Sequence, residues 1–385
     1  MNALRIPLLA GLLLLAGCSL FGSKEEDAEP PTELAEFETT LKVKRAWDAK
    51  VGSGSERLRL GLIVATDGTN VFAASRKGKV MAFEADGGKR VWSVDTDLAL
   101  SAGPGIGEGL LAVGSSDGDL VLLDSLDGSE RWRVNLGGEL LATPVIANDR
   151  IIARTVDGTT RALALADGAE LWVIEHDVPR LTLRGNASPI VSGEIVLVGF
   201  DNGKVAALNL RDGQTIWEIS LTPPSGRTEL ERMVDVDATV WVVGGDVYIS
   251  GFHGRTVSLA LESGQILWSR DIDSYAGVGV DWNNVYVTDS DSVVVGMSRR
   301  SGTPAWRQED LKFRTLTSPV PYGRSVVVGD FEGYLHWLDA ETGSMVARTR
   351  SGESIVSPPI VVGETLFVLS EDGRLSAYRA DFGSG

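Results

Sequence analysis

Cysteine occurs once in this 385-residue chain, at Cys18, so no intramolecular disulfide holds the fold together. Histidine is nearly as scarce. His176, His253 and His336 form no short His/Cys cluster, which gives a zinc or haem site little support. Cations are outnumbered, with 36 Lys and Arg against 53 Asp and Glu and a formal net charge of −17. That balance argues against nucleic acid, where cationic contacts to phosphate dominate affinity. It argues equally against electrostatic attachment to an anionic lipid surface. No Gly-x-Ser-x-Gly elbow, Walker loop or dinucleotide fingerprint stands in a strand-to-helix context. The acidic surplus offers too many carboxylates to single out a glycosidase pair. After the N-terminus no stretch sustains a 3.6-residue period, which excludes an α-helical architecture.

What is abundant is glycine, and it is spaced by a rule. A glycine is followed ten residues later by a second, and four residues after that by a tryptophan. The pairs are Gly78/Gly88, Gly118/Gly128, Gly158/Gly168, Gly203/Gly213, Gly254/Gly264, Gly333/Gly343 and Gly373/Gly383; an eighth copy has Ser292 before Gly302. The tryptophans are Trp92, Trp132, Trp172, Trp217, Trp268 and Trp306. Within a unit, four apolar, β-branched runs are separated by Gly, Asn and Asp, the residues that tolerate the positive φ of tight turns. The Asp-Gly pairs therefore read as hairpins and not as calcium loops. Pro104, Pro144, Pro189, Pro319 and Pro359 each stand 14 residues before a first glycine, where a strand without that N–H donor begins. Four strands in a period near 40 residues predict an all-β fold, an eight-bladed β-propeller of four-stranded blades.

The chain ends just after Gly383, while Trp47 lies in an orphan strand near the start. The two predict a seam at which the N-terminal strand around Trp47 completes the C-terminal blade and leaves no edge unpaired. One tryptophan per blade at fixed spacing reads as packing, not as a sugar or cofactor platform. Ala347 stands where the seventh unit lacks its tryptophan, so a thinner contact is expected there. Trp241, Trp282 and Trp337 fall outside the register and receive no assignment.

The first residues are a basic start, a short apolar run and small residues, which together mark a secretory signal too short to span a bilayer. Leu15, Ala16, Gly17 and Cys18 closely resemble a bacterial lipobox, which implies cleavage before Cys18 and acylation of that residue. Ser19 follows where inner-membrane lipoproteins carry Asp, so the resemblance places the chain at the periplasmic face of the outer membrane. Residues 1–17 are thus expected to be a lipoprotein signal peptide, 18–40 a flexible tether, and 41–385 the propeller.

Residues 202–217, NGKVAALNLRDGQTIW, resemble the quinoprotein-type (PQQ-like) propeller repeat, and the likeness covers residues 41–385. Two branches of that family differ in function. Quinoprotein dehydrogenases use pyrroloquinoline quinone, usually with calcium and often with a vicinal disulfide that this chain cannot form. The other branch is the non-catalytic lipoprotein subunit of the outer-membrane β-barrel assembly machinery. A lipobox, a brief linker and one bare ring resemble that branch, which implies a scaffold with no cofactor and no enzymatic activity. The alternative is a periplasmic oxidoreductase dependent on pyrroloquinoline quinone.

Loop lengths point to the working surface. From each blade-ending Trp position to the next blade's Pro position the separations are 17, 12, 12, 17, 23, 10, 13 and 12 residues. The two long links flanking the fourth blade exceed structural need, and such loops carry recognition. The first contains Leu181, Leu183 and Arg184, an apolar anchor beside a charge; the second contains Asp235 and Asp237. Leucines tucked into the blade and solvated acids are the alternative reading of the residues alone. The family resemblance implies that these five residues contact the periplasmic POTRA repeats of the barrel subunit, with other members of the assembly complex and unfolded outer-membrane proteins as further partners. Neither link contains an aromatic residue, which counts against polysaccharide binding there.

Overall fold

The computed structural model describes residues 29–179, 187–221, 236 and 240–383. Among them every regular element is a strand, arranged in eight antiparallel sheets that follow one another in sequence. Blade 4 is representative, with Ile190–Ser192, Ile195–Gly199, Lys204–Asn209 and Thr215–Ser220 running from innermost to outermost. Blade 8 has the seam that the sequence predicts. Its outermost strand is Lys42–Lys50, which pairs antiparallel with Arg374–Asp381 from the other end of the chain. Blade 2 gains a fifth strand when Gly61–Leu62 pairs parallel with Leu100–Gly107. Pro144, Pro189, Pro319 and Pro359 each immediately precede an innermost strand, whereas Pro104 sits at an irregularity inside one.

The core is a closed series of eight inter-blade clusters. One joins blades 1 and 2 through Phe72, Trp92, Leu111 and Val121, and another joins blade 8 back to blade 1 through Phe367, Leu375, Val71 and Phe83. Four antiparallel strands bring each blade's last residue to the face from which the next blade starts. All inter-blade links therefore share one face with the turns between second and third strands. We call it the linker face; the opposite one is the hairpin face.

The second glycine of each repeat does more than turn the chain. In seven blades the tryptophan ring of the preceding blade lies on it. The seven indole N–H groups donate to the carbonyls of Ala85, Ser125, Leu165, Leu210, Leu261, Arg299 and Ala340, at 2.8–3.0 Å. Each of those carbonyls lies three residues before the glycine. A Cβ on Gly264 would come 2.7 Å from the Trp217 ring, and one on Gly302 2.6 Å from that of Trp268. In all eight blades the outermost strand has a register shift at the residue before this position, Trp in seven and Ala347 in blade 7. Such a bulge turns the ring inward while leaving Val91, Leu171, Ile216 and Leu267 exposed. Trp47 makes this contact from blade 8 to Gly88 of blade 1, so the seam uses the same lock.

The interface between blades 7 and 8 is built differently. Gly383 has no atom within 4 Å of where its Cβ would be, as the missing tryptophan requires. The apolar volume is nevertheless supplied. Trp337, directly across the ladder from Ala347, is fully buried edge-on to Tyr378 at 6.1 Å. Phe382 reaches back to Tyr322, with centroids 5.5 Å apart. The expected thinning is thus limited to the lost indole bond, for Trp337 Nε1 has no partner.

The N-terminal segment also packs here: in the described part of the expected tether, residues 32–40 lie against the ring. The Thr32 amide donates to the Lys312 carbonyl at 3.0 Å, and Leu34 packs between blades 6 and 7. Arg348 holds the Ala35 carbonyl at 3.0 Å and lies over the Phe37 ring. The amides of Thr40 and Leu41 both donate to Val346, at 3.1 Å.

Beneath this segment lies a buried polar network. Asp330 Oδ2 accepts from Arg314 Nε at 2.9 Å and from His336 Nε2 at 3.0 Å, while its Oδ1 caps the amides of Glu332 and Tyr334. Arg314 also reaches the Thr32 carbonyl, at 3.0 Å. His336 Nδ1 accepts from Arg348 Nε at 3.3 Å. An Nδ1 that accepts carries no proton, so the imidazole is neutral and donates from Nε2. Burial accordingly pushes the His336 pKa below its usual value, despite Asp330. Burial alone would raise Asp330, but His336, the Tyr334 amide and Arg314 together hold it below the usual carboxylate range.

Candidate functional site

The long links before and after blade 4 are rooted on one turn, residues 200–203, on the linker face. Where the first link begins, the His176 amide donates to the Gly158 carbonyl at 3.1 Å. Its imidazole stacks on Phe200 with centroids 3.7 Å apart, and Nε2 lies 3.4 Å from Glu218. Glu218 is bound in turn by Lys204 Nζ at 2.6 Å, and the lysine, more than burial or His176, sets its lowered pKa. The second link begins with the Leu221 amide on the Gly203 carbonyl at 3.0 Å, and within it the Val236 amide donates to the Phe200 carbonyl at 3.3 Å.

Two buried features fix this turn. Val236 is fully buried against Gly199, where a Cβ would come 2.7 Å from its Cγ1, so a glycine is needed for the link to seat. Arg154 of blade 3 and Asp201 form an ion pair in which both side chains are buried, and the guanidinium lies 5.9 Å from the Phe200 ring centre. Breaking such a pair strands a charge in low dielectric, so the pair enforces one arrangement of blades 3 and 4 beneath the links. The result is a pedestal at the base of the two links, residues 176–189 and 221–240.

Leu181, Leu183, Arg184, Asp235 and Asp237 lie outside the described residues, as does Cys18. What the structure brings together at residues 199–203 is His176 from the first link and Leu221 and Val236 from the second. Sequence reasoning missed Phe200, His176 and Glu218, whose repeat positions do not distinguish them from ordinary turn and strand residues. Trp282, the exposed tryptophan without an assignment, tops a hairpin on the opposite face and packs on Arg299, 4.9 Å from its ring centre. Among the described residues no group of three or more His, Cys, Asp or Glu has metal-binding geometry.

Comparison with known proteins assigns the family. A family model described as "Outer membrane protein assembly factor BamB" matches residues 43–98, 76–308 and 290–384. The protein of that name from Xanthomonas campestris pv. campestris is 38% identical, over 97% of each chain. Its counterpart in Escherichia coli K12 is 36% identical, over 97% of this chain and 98% of that one. The crystal structure of BamB from Moraxella catarrhalis superposes with a TM-score of 0.81 at 26% identity, covering 88% of this chain and all of the other. Quinohemoprotein alcohol dehydrogenase from Comamonas testosteroni superposes with a TM-score of 0.68 at 14% identity, covering 89% of this chain and 77% of that one, a likeness of fold alone. With eight blades and relatives matched over nearly their full length, this chain belongs to the family of the outer membrane protein assembly factor BamB.

Proposed function

We propose that this chain is a non-catalytic scaffold of outer-membrane protein assembly that docks on the POTRA region of the barrel subunit and assists insertion of β-barrel proteins. Its full-length similarity to assembly factors carries the reading. The finer part concerns where it docks. Leu181, Leu183 and Arg184 supply an apolar anchor with a cationic edge, and Asp235 and Asp237 supply carboxylates for a basic patch. Leucine burial gives affinity, while the charges orient the encounter. Support for this site comes from the shared pedestal. The described roots His176, Leu221 and Val236 meet the same turn or the strand beside it, which supports both links serving one surface.

The anchor reading completes the proposal. Acylation at Cys18 would hold the chain on the periplasmic face of the outer membrane, since more than one acyl chain at ~0.8 kcal/mol per buried methylene gives stable attachment. The signal peptide is then residues 1–17, and the mature chain starts at the lipid.

Two measurements on the same strain separate this reading from the oxidoreductase. Removing the chain should lower the amount of folded β-barrel protein in the outer membrane. The purified chain given pyrroloquinoline quinone and calcium should oxidise no alcohol in a dye-linked assay. Quinone-dependent turnover with unchanged barrel content would overturn the scaffold reading.

A further inference from the structure

We propose that residues 32–41 form a strap that makes the anchored chain leave the ring on its linker face, turning that face toward the membrane. The inference rests on the anchor reading for the membrane, and on the described residues for the direction.

The direction follows from strand polarity. Lys42–Lys50 runs antiparallel to Arg374–Asp381, with Lys50 opposite Arg374 beside the turn at residues 370–373. That turn joins second and third strands, so Lys50 is at the linker face and Lys42, opposite Asp381, is at the hairpin face. A chain free up to residue 41 would therefore leave the ring on the hairpin face, away from the blade 4 links. The strap reverses this. It climbs the outermost strand of blade 7, Met345–Arg350, from Val346, which binds Thr40 and Leu41, past Arg348, which binds Ala35. It ends at Thr32, held between Lys312 and Arg314 in the link from blade 6 to blade 7. That link is on the linker face.

Length decides whether the reversal matters. Thr32 lies 14 positions after Cys18, and a random coil of 14 residues would span ~20 Å on average. A six-residue strand rises about 20 Å. The two are equal in size, so the exit point governs which face sits nearer the lipid. The contacts that hold the strap are also spread along its length, with Leu34, Phe37 and Leu41 as the apolar ones. The device has a consequence for docking: the links on blade 4 face the same way as the emerging tether, so the partner is met on the membrane-proximal side.

The test uses the full-length lipidated protein in phosphatidylethanolamine/phosphatidylglycerol vesicles containing a headgroup-quencher lipid. A fluorophore is placed at Asp117→Cys or at Leu126→Cys, exposed turn positions on opposite faces of blade 2. In the anchored protein Cys18 is consumed as a thioether, so only the new thiol is labelled. Quenching at position 117 should exceed that at 126 several-fold. In the Leu34→Asp/Phe37→Asp variant the ratio should fall to about one or invert, with the ring's urea midpoint nearly unchanged; Phe37→Asp alone serves if the pair fails to fold. Equal quenching of the two labels in the native protein overturns the proposal, as does a ratio indifferent to the strap variants. Two further readouts separate the parts. The mass of the mature N-terminus reports acylation, and an unacylated Cys18 overturns the anchor and the orientation with it. Amide exchange at Thr32, Thr40 and Leu41 reports docking of the strap, which slow exchange supports and free exchange contradicts.

Discussion

Asp330→Ala should destabilise the ring by about 3–5 kcal/mol, the range for removing one partner of a buried ion pair. The side chain is fully buried and so, nearly, is Arg314, which would be left with Glu332 at the protein surface as its remaining carboxylate. His336 would lose its acceptor and the turn at residues 330–334 its two capped amides. The loss should also spread to the strap, because Arg314 would no longer be oriented toward the Thr32 carbonyl. Urea midpoints measure the effect, and replacing Arg314 with Met in the same variant should restore part of it by removing the stranded charge. A cost below about 1 kcal/mol would mean that water reaches the site. The same network sets the acid response. A folded-state pKa below the usual one means that the unfolded chain takes up protons first, so stability falls as pH falls. For His336 the decline begins below its ordinary value of 6.5, and for Asp330 below 3.8. His336→Gln should flatten the first decline and lessen the second, since His336 is among the groups that hold Asp330 low.

Gly264→Ala should cost about 2–5 kcal/mol from two sources. The residue has φ +67°, where an L side chain costs about 1–2 kcal/mol. The new methyl would also stand 2.7 Å from the Trp217 ring, and overpacking of that kind costs about 1–3 kcal/mol. Gly193→Ala separates the two, since Gly193 has φ +60° and nothing within 4 Å of its Cβ position. It should lose only the backbone part. If the two variants melt alike, the tryptophan cradle contributes nothing and the glycine is there for the turn alone.

That cradle marks the limit of what the repeat reveals. Spacing by tens makes eight blades legible, and a stray Trp47 makes the seam legible, because both are one-dimensional patterns. The reading of the second glycine as a turn residue is correct but incomplete: its ring partner belongs to the previous blade, some 40 positions away. The bulge before each tryptophan has no composition of its own, being Val91, Arg131, Leu171 or Ala305 by turns. Trp337 compensates Ala347 across a ladder ten residues back, a register known only once the strands pair. The strap escapes notice because Leu34, Phe37 and Leu41 are set among glutamates with no strand period, and Arg314 and Asp330 are ordinary until 16 residues of chain fold between them. The links proposed to dock stand out in the sequence by their length, and the family resemblance gives their residues a role. Their roots on Phe200 were invisible, since Phe200 occupies a turn position that the other repeats fill with Ser, Thr, Asp or Gly.

The proposed docking surface is the linker face around blade 4, with the barrel-assembly subunit as its partner. Residues 29–385, which keep the strap on the ring, should bind the isolated POTRA repeats of the host's barrel subunit in a calorimetric or surface-binding titration. Leu181→Glu/Leu183→Glu should weaken that binding at least tenfold, about 1.4 kcal/mol or more, with an unchanged melting transition. Binding lost in the folded variant alone places the partner on these loops. Equal affinity of the native and substituted rings, or no binding by either, would contradict the account.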